Sequence, residues 1–195
     1  MTKGETTRQR IIEAAAPIFN RQGFAGASIQ DVMDATGLEK GCIYRHFEGK
    51  EELAAASFRY ALSRAVKTRT DDVDHVPGAL GKLRYLVDRF VVAPSPMPGG
   101  CPLLNTAIDA DDGNPMLRKL ARDGIADWKS RLATIVADGQ NSGEIRRKTD
   151  PGQIANAIVG LLEGSLMISR IEGNKSALSD ARATLHLLLD GLTRG

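Results

Sequence analysis

Apolar residues recur along this chain at every third or fourth position, broken by short polar or Gly/Pro stretches, and the strict alternation of a half-buried strand is missing. The clearest unit lies between Ser28 and Lys50. Ile29, Val32 and Met33 form an apolar stripe on a short helix, with Ser28 as N-cap and Asp31 as its capping-box partner. Gly37 ends that helix, because glycine tolerates the left-handed backbone of a sharp exit, and Leu38 plugs the corner. A second helix over about 39–47 turns Ile43 and Phe47 inward. It leaves Lys40, Gly41, Cys42, Tyr44, Arg45 and His46 on or beside its outward face.

The same punctuation predicts a first helix that starts at Thr6 or Thr7, with Gln9 as capping partner, and runs to about Gln22. Ile11, Ile12, Ala15, Ile18 and Phe19 face inward on it, Pro17 kinks it, and Gly23 stops it. A long helix leaves Lys50 through Leu53, Ala56, Tyr60, Leu62 and Val66, and meets the polar run Asp71, Asp72, Asp74. Further helices are expected at about 77–92, 101–111, 115–140, 151–171 and 176–192. Pro77, Asn114-Pro115 and Asp150-Pro151 mark three of the starts, and APSPMPGG over 93–100 is a breaker. The expected fold class is therefore all-α, with about nine helices and no strand. It divides into a helix-turn-helix domain over 1–50 and a second, larger helical domain over 51–195.

Composition narrows the function. A chain of 195 residues that is 42% hydrophobic can bury a core built on Ala, Leu, Ile and Val, and its net charge is only +2. Any nucleic-acid surface must then be local, and the outward face of the 39–47 helix is one. Lys40 and Arg45 can reach phosphates or guanine acceptors, Gly41 permits close backbone approach, and Cys42 is small enough to lie against a thymine methyl. Tyr44 and His46 offer hydrogen bonds to phosphate oxygens, and Lys50 adds positive charge at the start of the next helix. Two helices around a plugged turn also occur in ordinary bundles, so the pattern alone leaves both readings open. The most apolar late stretch, Ile154 to Ile171, carries Asn156 and Glu163, and so neither a membrane span nor a signal peptide is expected and the location expected is cytoplasmic.

Gly23-Phe24, Ser28-Ile29, Asp31-Val32, Ala35, Gly37-Leu38, Lys40-Gly41, Ile43-Tyr44, His46-Phe47, Lys50-Glu51 and Leu53 follow one another in an order that resembles the N-terminal domain of TetR-family transcriptional regulators. The likeness covers about the first quarter to third of the chain. It implies a three-helix DNA-binding domain carried on a helical ligand-binding and dimerisation domain. It places DNA contacts on Ser28, Lys40, Gly41, Cys42, Tyr44, His46 and Lys50, and Arg45 occupies a variable position assigned here to base reading. Cys42 stands where Thr, Ser or Ala is more usual, and Gly49 replaces a common Ser.

The expected partners are a palindromic double-stranded DNA operator, a small-molecule effector of unknown identity and a second copy of the chain. Apolar faces on the last two helices suit either a core within one chain or an oligomer. The resemblance implies a two-fold dimer, with Ile158, Leu161, Leu162, Ser165, Leu185, Leu188, Leu189 and Leu192 at its interface. An effector pocket is expected at Leu86, Phe90, Cys101, Leu104, Ile108, Trp128, Leu132 and Met167, although the same residues suit plain core. The function expected is a repressor released from its operator when effector swings the helix from Lys50 to about Thr70.

The stretch Gly99 to Arg118 also resembles a branch of the family with a Gly-Cys-Pro turn opening the sixth helix. Some members of that branch sense electrophiles or oxidants through a cysteine there, which makes a thiol sensor acting through Cys101 the alternative. At a helix N-terminus the dipole favours the thiolate, whereas Asp109, Asp111 and Asp112 would oppose it if close. An enzyme would have to use Cys101 with His75 or His186, without an orienting third group, and is not expected. A helical adaptor indifferent to DNA is the remaining class. His46, His75, His186 and the two cysteines lack metal-ligand spacing, and no cofactor is implied.

Overall fold

A computed structural model describes residues 2–93, 95–111 and 113–193. Pro94 of the expected breaker and Asp112 of the expected acidic group lie outside the described residues. The described residues form nine α-helices and no strand beyond one isolated bridge, Ile145 to Thr193. The helices are α1 Lys3–Gly26, α2 Ile29–Thr36, α3 Lys40–Tyr44, α4 Lys50–Thr70, α5 Ala79–Val92, α6 Pro102–Asp109, α7 Pro115–Ser142, α8 Pro151–Glu172 and α9 Ser176–Asp190. A 3-10 turn, Val73–His75, follows α4. The expected all-α class is what is found.

Two compact units form. Met1–Val66 packs with Ser95–Gly124, and Lys67–Pro94 packs with Ile125–Gly195. The first unit holds α1, α2, α3, most of α4, α6 and the start of α7. Its core gathers Ile11, Ile12, Ala15 and Ile18 of α1 with Val32, Ile43, Phe47 and Leu53. A neighbouring cluster joins Ala54 and Ala55 of α4 to Ala110 and Leu117. The second unit buries Leu80, Leu83, Val87 and Phe90 of α5 against Leu132 and Val136 of α7, Ile158 and Leu162 of α8, and Leu185 and Leu189 of α9.

Helix ends were mostly legible, with three corrections. The first helix begins at Lys3: the Thr2 hydroxyl accepts from the Glu5 N–H at 3.2 Å and the Glu5 carboxylate accepts from the Thr2 N–H at 2.6 Å. Thr6 and Thr7 sit inside it and donate back to the carbonyls of Thr2 and Lys3. Within α1 the departure from helical dihedrals falls at Gly23, with φ 73° and ψ 175°, well past Pro17. The fifth helix starts at Ala79 rather than Pro77, because Glu144 supplies its cap from a distant part of the chain. The Glu144 carboxylate accepts from the N–H groups of Ala79 at 2.6 Å and Leu80 at 3.1 Å. Asn114 and Asp150 cap α7 and α8 as expected, accepting from Leu117 N–H and from Gly152 and Gln153 N–H.

By length and composition α8 could cross a membrane, with a mean hydropathy of 1.4 over its best window. Here it is a core helix: Ile154, Ala155, Ile158 and Leu162 are buried against α5 and α9.

Candidate nucleic-acid interface

The backbone from Ser28 to Lys50 is shaped by contacts within a turn of one another. Ser28 and Asp31 form the full capping box: Asp31 N–H donates to Ser28 Oγ at 3.1 Å, and Ser28 N–H and its hydroxyl each donate to Asp31 Oδ2 at 2.7 Å. The hydrogen bond from the Ser28 side chain, then that from its backbone, hold the Asp31 carboxyl below the usual carboxylate range, with a smaller contribution from Lys50. Gly37 takes the left-handed conformation, φ 67°, and its N–H returns to Met33 O at 2.7 Å. Buried Thr36 bonds back to Val32 O at 2.7 Å, and Arg10 of α1 reaches Thr36 O at 2.5 Å, fastening the turn to the helix beneath.

The third helix is shorter than expected, a single turn over Lys40–Tyr44 with Glu39 as N-cap and no side-chain cap bond. His46 and Phe47 follow in a turn that still places Ile43 and Phe47 in the core. That fixes the opposite face: Lys40, Gly41, Tyr44 and Arg45 are exposed, and Cys42 and His46 are half-buried at its margin. A Cβ at Gly41 would meet no atom within 4 Å, so the backbone there lies open to close approach. The Lys40 ammonium sits 5.9 Å from the Tyr44 ring centroid and that of Lys50 4.6 Å from the ring of Phe24, which steadies both long side chains. Exposed Ser28 is committed to Asp31 through its hydroxyl proton, so a phosphate contact from Ser28 has to displace that bond.

Sequence reasoning missed the groups that hold this surface from behind. Arg8 of α1 lies 4.7 Å from the Phe47 ring centroid and 3.4 Å from Glu52, whose other oxygen accepts from the Glu48 N–H at the start of α4. Asp109 of α6 accepts from Phe24 N–H at 2.7 Å, where Gly23 breaks α1. Asn105 of α6 donates to Asn20 O, Asn20 Oδ1 and Gly99 O, and Asn20 donates to Pro98 O at 2.7 Å. The bonds of Arg8 to Glu52, Asn20 to Pro98, Asn105 to Asn20 and Phe24 to Asp109 join residues 44 to 85 apart, which no local window of the sequence contains.

The expected effector residues are not one set. Leu86, Trp128 and Leu132 line a groove of about 410 Å³ together with Thr70, Arg131 and Ile135, all in the second compact unit. Phe90 stacks on Trp128 at 5.6 Å between centroids, with the Arg69 guanidinium 4.0 Å from the Phe90 ring centroid. Cys101, Leu104 and Ile108 belong to the first unit, where Cys101 is the buried N-cap of α6. Ile108 is 64% exposed because α6 turns Pro102 and Leu103 inward, and Met167 is 44% exposed on α8. His75 and His186, the bases an enzyme would need, lie in the second unit, and Cys101 in the first.

The residues expected at a dimer interface divide by burial. Ile158, Leu162, Ser165, Leu185, Leu189 and Leu192 are buried within one chain, and Leu161 and Leu188 are half-buried, because these positions face α5 and each other. The large apolar side chains that these two helices leave exposed include Met167, Ile168, Ile171 and Leu187, the last two 79% and 73% exposed. A Cβ at Gly160 or Gly164 would meet no atom within 4 Å.

Asp88 of α5 accepts from Arg182 at 2.7 and 3.1 Å and lies 2.7 Å from His186 Nε2, both on α9. Burial pushes the Asp88 carboxyl up, but hydrogen bonds from Arg182 and His186 outweigh it and hold the group below the usual range. Among the described residues no group of three or more His, Cys, Asp or Glu is placed to hold a metal ion.

Residues 11–57 match the family model described as bacterial regulatory proteins, tetR family, and residues 79–185 match the tetracyclin repressor-like C-terminal domain. A TetR transcriptional regulator from Chloroflexus aurantiacus is 40% identical, covering 100% of this chain and 99% of its own with a TM-score of 0.94. A TetR-family regulator from Cytophaga hutchinsonii is 37% identical, covering 100% and 98%, also with a TM-score of 0.94. The transcriptional repressor DhaR of a Mycobacterium species is 25% identical over 175 residues, 88% of this chain and 86% of its own.

Proposed function

Because this chain belongs to the TetR family of DNA-binding transcriptional regulators, we propose that it is a homodimeric repressor whose α3 reads a palindromic operator and which a small molecule releases. One observation carries the reading: Ile43 and Phe47 are buried while Lys40, Gly41, Tyr44 and Arg45 stand exposed on the opposite side of the same turn. Lys40, Tyr44, His46 and Lys50 are assigned to phosphate oxygens, Arg45 to a base edge, and Gly41 and Cys42 to close approach against the groove floor. Ser28 joins them by exchanging its bond to Asp31 for a phosphate.

The dimer is assigned to the outer face of α8 and α9, around Gly160, Gly164, Ile168, Ile171 and Leu187, in place of the inner leucines. Exposed apolar side chains beside glycines admit close helix approach, and exposing them in a monomer is costly. The effector is assigned to the groove at Leu86, Trp128 and Leu132. A molecule there touches Thr70, the last residue of α4, and shifts the α4 conformations available to the DNA-binding residues at its other end. With Cys101 buried at the start of α6, the groove rather than the thiol is the effector site in this reading. A cytoplasmic location follows from the need to reach chromosomal DNA.

Selection of binding sites from random duplex DNA, with the purified dimer at two salt concentrations, tests this. Enrichment of an inverted repeat with half-sites about one helical turn apart, or a multiple of that, is the expected result. Failure to enrich any motif would leave a family member without operator specificity.

A further inference from the structure

Ser57 lies in α4, 1% exposed, and its hydroxyl finds no hydrogen-bond partner within the protein. It borders a cavity of about 30 Å³ whose wall also includes Asn20 of α1, Asn105 and Asp109 of α6, and the rings of Phe24 and Phe58. Buried hydroxyls are normally satisfied by protein or by ordered water, and this volume admits about two water molecules.

The neighbouring polar groups define what fits. Asn105 commits its Nδ2 to Asn20 and Gly99, which leaves its Oδ1 as an acceptor. Asp109 commits Oδ2 to Phe24 N–H, which leaves Oδ1, the atom nearest to where a Gly23 side chain would stand. A ligand here must donate to the carboxamide or carboxylate oxygen, accept from or donate to Ser57, and occupy one or two water volumes. Apolar atoms fail the first requirement.

We propose that this cavity is a binding site for ordered water that joins the Ser57 hydroxyl of α4 to the Asn105 and Asp109 oxygens of α6. Since α6 is already bonded to α1 through Asn20 and the Phe24 N–H, the bridge makes α1, α4 and α6 one hydrogen-bonded block behind α2 and α3. Its regulatory consequence rests on the repressor reading above: a shift of α4 relative to α1 and α6 breaks or exchanges these water bonds.

The test is a crystal structure of the full-length dimer at about 1.5 Å, with and without xenon pressure, alongside thermal unfolding of wild type and Ser57→Ala. The expected result is water within about 2.7–3.2 Å of Ser57 Oγ, no xenon in the cavity, and an unfolding midpoint about 2–4 °C lower in the variant. A dry cavity, xenon in the cavity, or a Ser57→Ala protein as stable as wild type or more so overturns the proposal. Operator affinity of the wild type, measured in parallel, tests the repressor reading separately. Its failure leaves the hydration result standing, and a dry cavity leaves DNA binding standing.

Discussion

Between Ser28 and Lys50 the bonds that set the backbone join residues three or four apart, whereas the first turn of α5 is capped by Glu144 from 65 residues away and Asp88 is held by α9 partners 94 and 98 residues along. The two regions solve the same problem, satisfying helix ends and burying an apolar face, by different means. The turn between α2 and α3 is fixed by local chemistry: a capping box, a left-handed glycine, an apolar plug. Its outward residues are then free to be chosen for a partner. The α5, α8 and α9 layer is fixed by tertiary contacts, so its side chains are assigned to inside or outside by packing that no local window contains.

The outer faces of α8 and α9 carry the largest expected effect. Replacing both Ile171 and Leu187 by Glu is expected to convert the dimer to a monomer in sedimentation experiments, with helical content retained. Operator affinity should fall by about a thousandfold or more, because a half-site alone cannot supply the paired contacts. A dimer that survives the change would return the interface to the half-buried leucines.

Leu162→Ala, on the inner face of the same α8, sharpens the contrast. It opens a cavity in the second unit's core and is expected to cost about 2–5 kcal/mol in denaturant unfolding while leaving the dimer interface intact. Next in size, Glu144→Ala strips the partner from two N–H groups of α5 and should cost about 1–2 kcal/mol. Faster amide exchange at Ala79 and Leu80 would locate that loss, and unchanged exchange there would contradict the capping role.

Smaller still, Ser28→Ala removes a local cap and should lower stability by about 1 kcal/mol. The pH dependence has a defined sign. The folded Asp31 carboxyl titrates below its ordinary value, so its contribution to stability is present above the ordinary carboxylate range, near pH 3.9, and is lost as pH falls through the lower folded value. Asp31→Asn should flatten that acid limb of the stability profile, and an unchanged acid limb would show that other carboxylates carry it.

This contrast also explains what the sequence made legible. The capping of α2, α7 and α8, the exit at Gly37, the inward pair Ile43 and Phe47 and the exposed face beside them all rest on spacing within a turn or two. Sequence does not decide the start of α1, because three hydroxyl residues, Thr2, Thr6 and Thr7, all suit an N-cap, and only the reciprocal bond with Glu5 selects among them. Helical periodicity marks an apolar face on α8 and on α9 without saying what covers it, and within one chain α5 and the facing helix cover the inner leucines. The effector residues were scattered for a related reason: α6 packs with α1 and α4 in the first unit, while Trp128 and Leu86 belong to the second. The pairings of Asn20 with Asn105 and of Phe24 with Asp109 join positions 85 residues apart and have no local signal.

The exposed face of α3, with Lys50 beside it, is the surface assigned to the DNA contact. Its most direct test is a titration of the selected operator with wild type and with the Tyr44→Ala, Lys50→Ala double variant, between 50 and 200 mM salt on the order of the range where phosphate contacts show. Wild type is expected to show steep salt dependence, and the variant an affinity about a hundredfold lower with a shallower slope. Equal affinity and equal slope in the two proteins would contradict it.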